Sequence, residues 1–229
     1  MKTLGAVYSC YKNKKATEFA LTNFRNHFPE NPIYLMSDGG DNFQDLADKF
    51  NCKFVEYENI QGTNGNYPHE SFRIRGWWER HKRAIEYCKT DYMMIMEDDV
   101  YVKNSIIIDD DFHQRGVRGP NFPESVKNDI RSCNGIEVPF YGMCGGSIYN
   151  SKTFLSIYDS VIKEINEKHD EITKNPDYSQ VGAFDANLTY HFSKRGYPYE
   201  LSKWLSQINH DSYPNPEIYP LIHNYKIHY

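Results

Sequence analysis

Apolar residues recur in two rhythms along the N-terminal part of the chain, and the rhythms alternate. Leu4 to Cys10 (LGAVYSC) is a short apolar run that breaks into the polar Tyr11-Lys12-Asn13, as a strand buried on both faces does before a turn. Ala16, Phe19, Ala20, Leu21, Phe24 and Phe28 then repeat at helical spacing until Pro29 and Pro32 stop them. Ile33 to Ser37 predicts a second strand, Phe43, Leu46, Ala47 and Phe50 a short second helix, and Cys52 to Tyr57 a third strand. A Gly-, Asn- and Pro-rich segment, Asn59 to Pro68, predicts a loop. From Ile74 the positions Trp77, Trp78, His81, Ile85 and Cys88 define one face of a long amphipathic helix. Its polar face carries Glu79, Arg80, Lys82, Arg83, Glu86 and Lys89. Of the two adjacent indoles only one is expected in the core. Asp91 to Met96 follows as the most apolar strand of the chain.

Strand and helix in alternation predict right-handed βαβ units, hence an α/β fold with a mostly parallel sheet and its strand C-termini gathered along one edge. Ligand chemistry in such sheets belongs at that edge. Beyond Asp99 the periodicity weakens, and Ile106 to Pro139 predicts an irregular, lid-like stretch. Ser151 is expected to cap a helix running through Phe154, Val161 and Ile165, and a further helix is expected from about Asp185 to Lys194-Arg195, closed by Gly196. A chain of 229 residues is expected to form one domain.

Composition changes this picture in a few places. A formal charge of −5 disfavours a nucleic-acid or anionic membrane partner. No apolar run approaches the ~18 residues of a membrane span, and Met1-Lys2-Thr3 leads straight into a strand without a signal-like apolar region. Five cysteines, an odd count without a CxxC pair, fit free thiols in a reducing compartment, so a soluble cytoplasmic protein is expected. The 15% aromatic content leaves flat surface for bases and sugars.

The chemistry concentrates at Glu97-Asp98-Asp99, where the most apolar strand ends in three neighbouring carboxylates. Their repulsion beside a low-dielectric core calls for a cation. A hard divalent ion such as Mn2+ or Mg2+, sharing oxygen ligands with a diphosphate, answers that need. Side chains alternate along an extended segment, so Glu97 and Asp99 are expected on one side and Asp98 on the other. Asp109-Asp110-Asp111 lacks the preceding apolar strand and is expected on a solvated turn. Gly142 to Ser147 (GMCGGS) offers Gly145 and Gly146 for close backbone approach to a sugar or phosphate. No P-loop or dinucleotide glycine pattern is present.

The segment ERHKRAIEYCKTDYMMIMEDDVY resembles the helix, strand and DXD motif of GT-A glycosyltransferases, here in an EDD form. That resemblance implies a GT-A fold, with residues 1–102 as the nucleotide-sugar half and 103–229 as a smaller acceptor-binding half and tail. It implies Asp99 as principal metal ligand, Glu97 as a metal or ribose contact, and Asp98 beside them in the donor site. Ser9, Cys10, Tyr11 and Asp38 are implied to line the nucleotide pocket, with uridine as the base. Arg75 and Lys82 would extend cationic reach to the phosphates. Asp185, in FDANL, matches the family's acidic acceptor helix without its companion Glu and is implied as general base, which favours inversion and leaves a retaining route open. His223 resembles the late histidine that completes the metal shell, and Lys226 a cation opposite the diphosphate; His228 is a weaker match. In style the chain resembles short soluble GT-A proteins of bacteria and large DNA viruses. The implied activity is sugar transfer from a UDP-sugar to a glycan or other hydroxyl acceptor. A sugar nucleotidylyltransferase and a non-catalytic carbohydrate-binding module are the alternatives.

Overall fold

A computed structural model describes residues 1–58, 71–116, 130–133, 135–139, 143–173, 184–207 and 220–223. The loop expected over Asn59 to Pro68 lies outside them, as do Gly142, Lys226 and His228. Strand β1 (Leu4–Cys10) leads into helix α1 (Lys14–His27), whose first turn is capped by Asn13, its Oδ1 accepting the Ala16 N–H at 3.1 Å. At the far end Arg25 donates to the carbonyls of Asn31 at 2.6 Å, Phe50 at 2.7 Å and Asn51 at 2.9 Å, which ties the close of α1 to the turn after α2. Strand β2 (Ile33–Asp38), helix α2 (Gln44–Lys49) and strand β3 (Lys53–Tyr57) complete two units, and α3 (Ser71–Cys88) crosses back to β4 (Tyr92–Met96).

After β5 (Tyr101–Val102) and β6 (Gln114–Gly116), a hairpin of β7 (Ile130–Cys133) and β8 (Ile136–Pro139) occupies part of the stretch expected to be irregular. Strand β9 (Ile148–Asn150) feeds α4 (Ser151–Thr173), followed by α5 (Phe184–Lys194), β10 (Tyr199–Leu201), β11 (Leu205–Gln207) and β12 (Leu221–His223). Asn150, not Ser151, caps α4, its side-chain oxygen accepting the Thr153 N–H at 2.9 Å. Ser151 already lies inside the helix.

The main sheet has seven strands in the order β10-β6-β9-β4-β1-β2-β3, mixed α/β and parallel except at β9. One face buries Ala20, Leu21, Phe24, Leu46 and Trp204 against β1, β2 and β4; the other buries Ile74, Trp78, Phe154 and Leu188. Enclosing a side chain such as Phe24, fully buried here, stabilises by roughly 1.5–3 kcal/mol. Both Trp77 and Trp78 belong to the second core, against the expectation that one would stay outside. Helix α3 is covered by the sheet below and by α4 and α5 above, which leaves neither indole a solvent face. The Trp78 indole N–H donates to Asn187 Oδ1 at 2.8 Å, and Trp77 stacks nearly parallel on Phe184. No helix among the described residues is long and apolar enough to cross a membrane. Cys10, Cys52, Cys88 and Cys144 are free thiols.

Candidate functional site

Strand β1 lies between β2 and β4, with Cys10 opposite Ser37 on one side and Tyr8 opposite Met96 on the other. The chain therefore winds outward through β2 and β3 and then returns to the opposite flank of β1. The strand order thus reverses between the C-terminal ends of β1 and β4, the usual ligand position in doubly wound sheets. Tyr11 follows the first of these ends and Glu97 to Asp99 the second.

On the β1 side, the Tyr11 carbonyl accepts the Asp41 N–H at 2.7 Å. A Cβ at Gly40 would fall 1.6 Å from that oxygen, so only glycine allows the loops after β1 and β2 to meet. Cys10 turns inward, its thiol donating to the Met36 carbonyl at 3.3 Å. Burial pushes this thiol well above its ordinary pKa, and the charges of Asp98 and Asp38 push it further. Asp38 is only 2% exposed and accepts from Arg80 Nη1 at 2.6 Å. Arg80 was expected on the solvated face of α3. Instead it is buried, donates also to the Glu58 carbonyl, and lies over the Tyr57 ring at 4.5 Å. A buried carboxylate at the end of β2 requires such a partner.

On the β4 side the strand ends at Met96, and the Val100 N–H donates to the Glu97 carbonyl at 3.1 Å. Residues 97–100 thus form a turn, and the alternation expected of an extended segment does not govern them. Val100 is buried, Glu97 and Asp99 are half-buried, and Asp98 is solvent-accessible at its rim. Enough protein still surrounds Asp98 for desolvation, and then the Glu97 charge, to raise its pKa. Beneath the turn the Tyr8 hydroxyl is wholly buried; desolvation and the charges of Asp98 and Asp99 push its pKa far up, against a lowering contact with Thr17. Sequence reasoning missed Tyr8 because its position in an apolar strand marks only packing.

Three remote segments close on this turn. Gly146 donates its N–H to the Ile95 carbonyl at 2.7 Å, and the Ile95 N–H donates to the Ser147 carbonyl at 2.9 Å, which pins the glycine turn to β4. Gly146 has φ of +84°, open to glycine at little cost. Met143 donates its N–H to the Asp185 carbonyl at 3.3 Å, which brings the first turn of α5 to the same turn. Strand β12 pairs antiparallel with β5, Leu221 opposite Val102 and Ile222 opposite Tyr101, so His223 comes at the end of β12 nearer the acidic turn. The structure thus gathers Tyr11, Glu97, Asp98, Asp99, Gly145, Gly146 and the backbone of Asp185 and His223 at one edge.

Arg75 and Lys82 are engaged elsewhere. Arg75 donates to Asn166 of α4 at 3.2 Å, while Lys82 pairs with Glu86 and lies 5.5 Å over the Tyr158 ring, also on α4. At the opposite edge of the sheet a groove of about 540 Å³ is lined by Lys2, Glu86, Asp91, Asp111 and Lys152. Among the described residues no cluster of three or more His, Cys, Asp and Glu side chains forms a ready metal cage. The acidic turn supplies hard oxygen donors, and at Asp98 desolvation, with the Glu97 charge added, disfavours the ionised form, a cost that a divalent cation would offset. Such a set fits an ion that takes the rest of its shell from water and a bound phosphate. Among known proteins, no family model and no curated sequence matches this chain.

Proposed function

We propose that the chain is a metal-dependent glycosyltransferase of GT-A type that moves a sugar from a nucleoside-diphosphate donor, a UDP-sugar, to a hydroxyl acceptor. The observation that carries this reading is the acidic turn at the point where the sheet reverses its strand order, directly after central strand β4. Glu97 and Asp99 would hold Mn2+ or Mg2+, with Asp98 beside them and His223 close in register. When bound, the ion supplies positive charge to the diphosphate that leaves with the bonding electron pair.

Asp185 lies half-buried in the first turn of α5, its carbonyl tied to the glycine turn. As general base it takes the proton from the acceptor hydroxyl, whose oxygen forms the new bond to the anomeric carbon as the bond to the diphosphate breaks. Ser9 near the end of β1 and Tyr11 just beyond it would border the nucleotide. Asp38 is committed to Arg80, so its part is to hold the loop after β2 in place for that border.

Calorimetric titration with UDP, GDP and CMP, each with and without Mn2+, tests the reading. Tight binding of UDP only in the presence of Mn2+, with sugar release from a UDP-sugar on adding an acceptor, is expected. Release of pyrophosphate from a nucleoside triphosphate would instead assign a nucleotidylyltransferase, and glycan binding without nucleotide binding a carbohydrate-binding module.

A further inference from the structure

Gly145 faces the acidic turn at close range. A Cβ at this position would lie 3.0 Å from both Cδ and Oε2 of Glu97 and 2.7 Å from Cγ2 of Val100. Unlike Gly146, Gly145 is not among the glycines with positive φ, so its backbone is one that any residue adopts. What position 145 demands is space. The turn cannot back away to create it: Gly146 and Ser147 are bonded to Ile95, Met143 to Asp185, and a Cβ at Gly146 would already meet Leu205 at 2.6 Å.

We infer that Gly145 is a positioning residue whose missing side chain forms a seat for the Glu97 carboxylate, so that residue size at 145 sets where this acid stands toward a bound cation and nucleoside diphosphate. The inference rests on the donor site proposed above and revises one part of it. Gly145 was expected to admit a sugar or phosphate; the space it leaves is taken by an acid of the protein itself. Because the same turn is tied to the carbonyl of Asp185, the seat also fixes Glu97 relative to the start of α5. Groups that orient a metal-binding acid without touching the metal govern affinity on the order of 10–100-fold.

The test uses the full chain with Gly145→Ala, Glu97→Asp and the two combined, measuring the Kd for UDP in saturating Mn2+ by calorimetry and stability by urea unfolding. Gly145→Ala is expected to weaken UDP binding by about tenfold or more. Glu97→Asp should weaken binding in the native chain, yet strengthen it in the Gly145→Ala chain, because the shorter acid withdraws from the new methyl group. If Glu97→Asp has the same effect in both backgrounds, Gly145 is merely structural and the inference falls. Val100→Ala in the Gly145→Ala chain is the control for the second contact; full recovery of affinity there would route the effect through Val100 and overturn the inference. Should the native chain bind neither Mn2+ nor UDP, the donor-site reading fails by itself. The seat is then judged by stability alone: non-additive losses for Gly145→Ala and Glu97→Asp uphold it, and additive losses reject it.

Discussion

Glu97-Asp98-Asp99 and Asp109-Asp110-Asp111 are near twins in sequence, yet their members titrate in opposite directions: Asp98 upward, Asp109 and Asp110 downward. The second triplet is neutralised by the fold. Lys203 reaches Asp109 at 2.8 Å, Arg115 grips Asp110 through two nitrogens at 2.9 and 2.7 Å, and Lys2 pairs with Asp111. These cations hold Asp109 below the ordinary carboxylate range and bring Asp110 to about 2. In the first triplet desolvation and the neighbouring Glu97 charge act the other way and raise Asp98. Three acids in a row therefore say little by themselves. What distinguishes Asp98 from Asp109 and Asp110 is the local balance at each carboxylate: desolvation leads at the first, and cations of the fold at the other two.

A third acid sets the outer limit of this comparison. Asp38 is fully enclosed with Arg80, so Arg80→Ala should leave a buried, uncompensated carboxylate and cost about 3–5 kcal/mol in urea unfolding. A combined Asp38→Asn, Arg80→Met chain should recover much of that loss. Next in size, Asp99→Ala should weaken Mn2+-dependent UDP binding on the order of 100-fold, or roughly 2.7 kcal/mol, whereas Asp110→Ala should leave it unchanged. Equal effects from the two variants would dissolve the distinction between the triplets.

Acid unfolding separates the same groups by pH. His81 is buried against Trp77 and hydrogen-bonded through Nδ1 to the Tyr149 hydroxyl at 2.8 Å; burial, with the nearby Arg80 charge, lowers its pKa to about 3. The unfolded chain thus binds a proton that the folded chain refuses, and stability falls as pH drops from about 6.5 toward 3. At pH 5 this amounts to roughly 2 kcal/mol, and a His81→Gln chain should show a flatter profile across that window. Asp110 contributes later and least. Its depressed pKa adds stability above about pH 4 that is lost as pH falls toward 2, and Asp110→Asn should remove only that final slope. Because Asp110 is exposed, 1 M NaCl should erase most of the difference.

The contrast also explains which parts of the structure were legible beforehand. Runs such as Leu4 to Cys10 and helical repeats such as Ala20, Leu21 and Phe24 report local period, and they located β1 to β4 with their helices to within a few residues. The expectations for α3 went astray at Trp77 because Phe184 of α5, remote in sequence, covers it, and at Arg80 because the ends of β2 and β3 enclose it. Short strands also defeat periodicity: Gln114–Gly116 and Ile148–Asn150 are too brief to show an alternation, so the antiparallel insertion of β9 left no trace. Within the candidate site, the EDD run and the glycine turn were both visible as motifs. Their contact through Gly145 was not, since nothing local links Glu97 to a turn nearly fifty residues away.

By itself the sequence determined the winding of the parallel sheet and the placing of three acids directly after its most apolar strand, because both follow from near-neighbour hydrophobic order. Tertiary structure alone decided which cations meet Asp109 and Asp110, which glycine makes room for a carboxylate and which late strand pairs with β5. Charge compensation and steric fit act through space, and the partners that settle them come from distant parts of the chain.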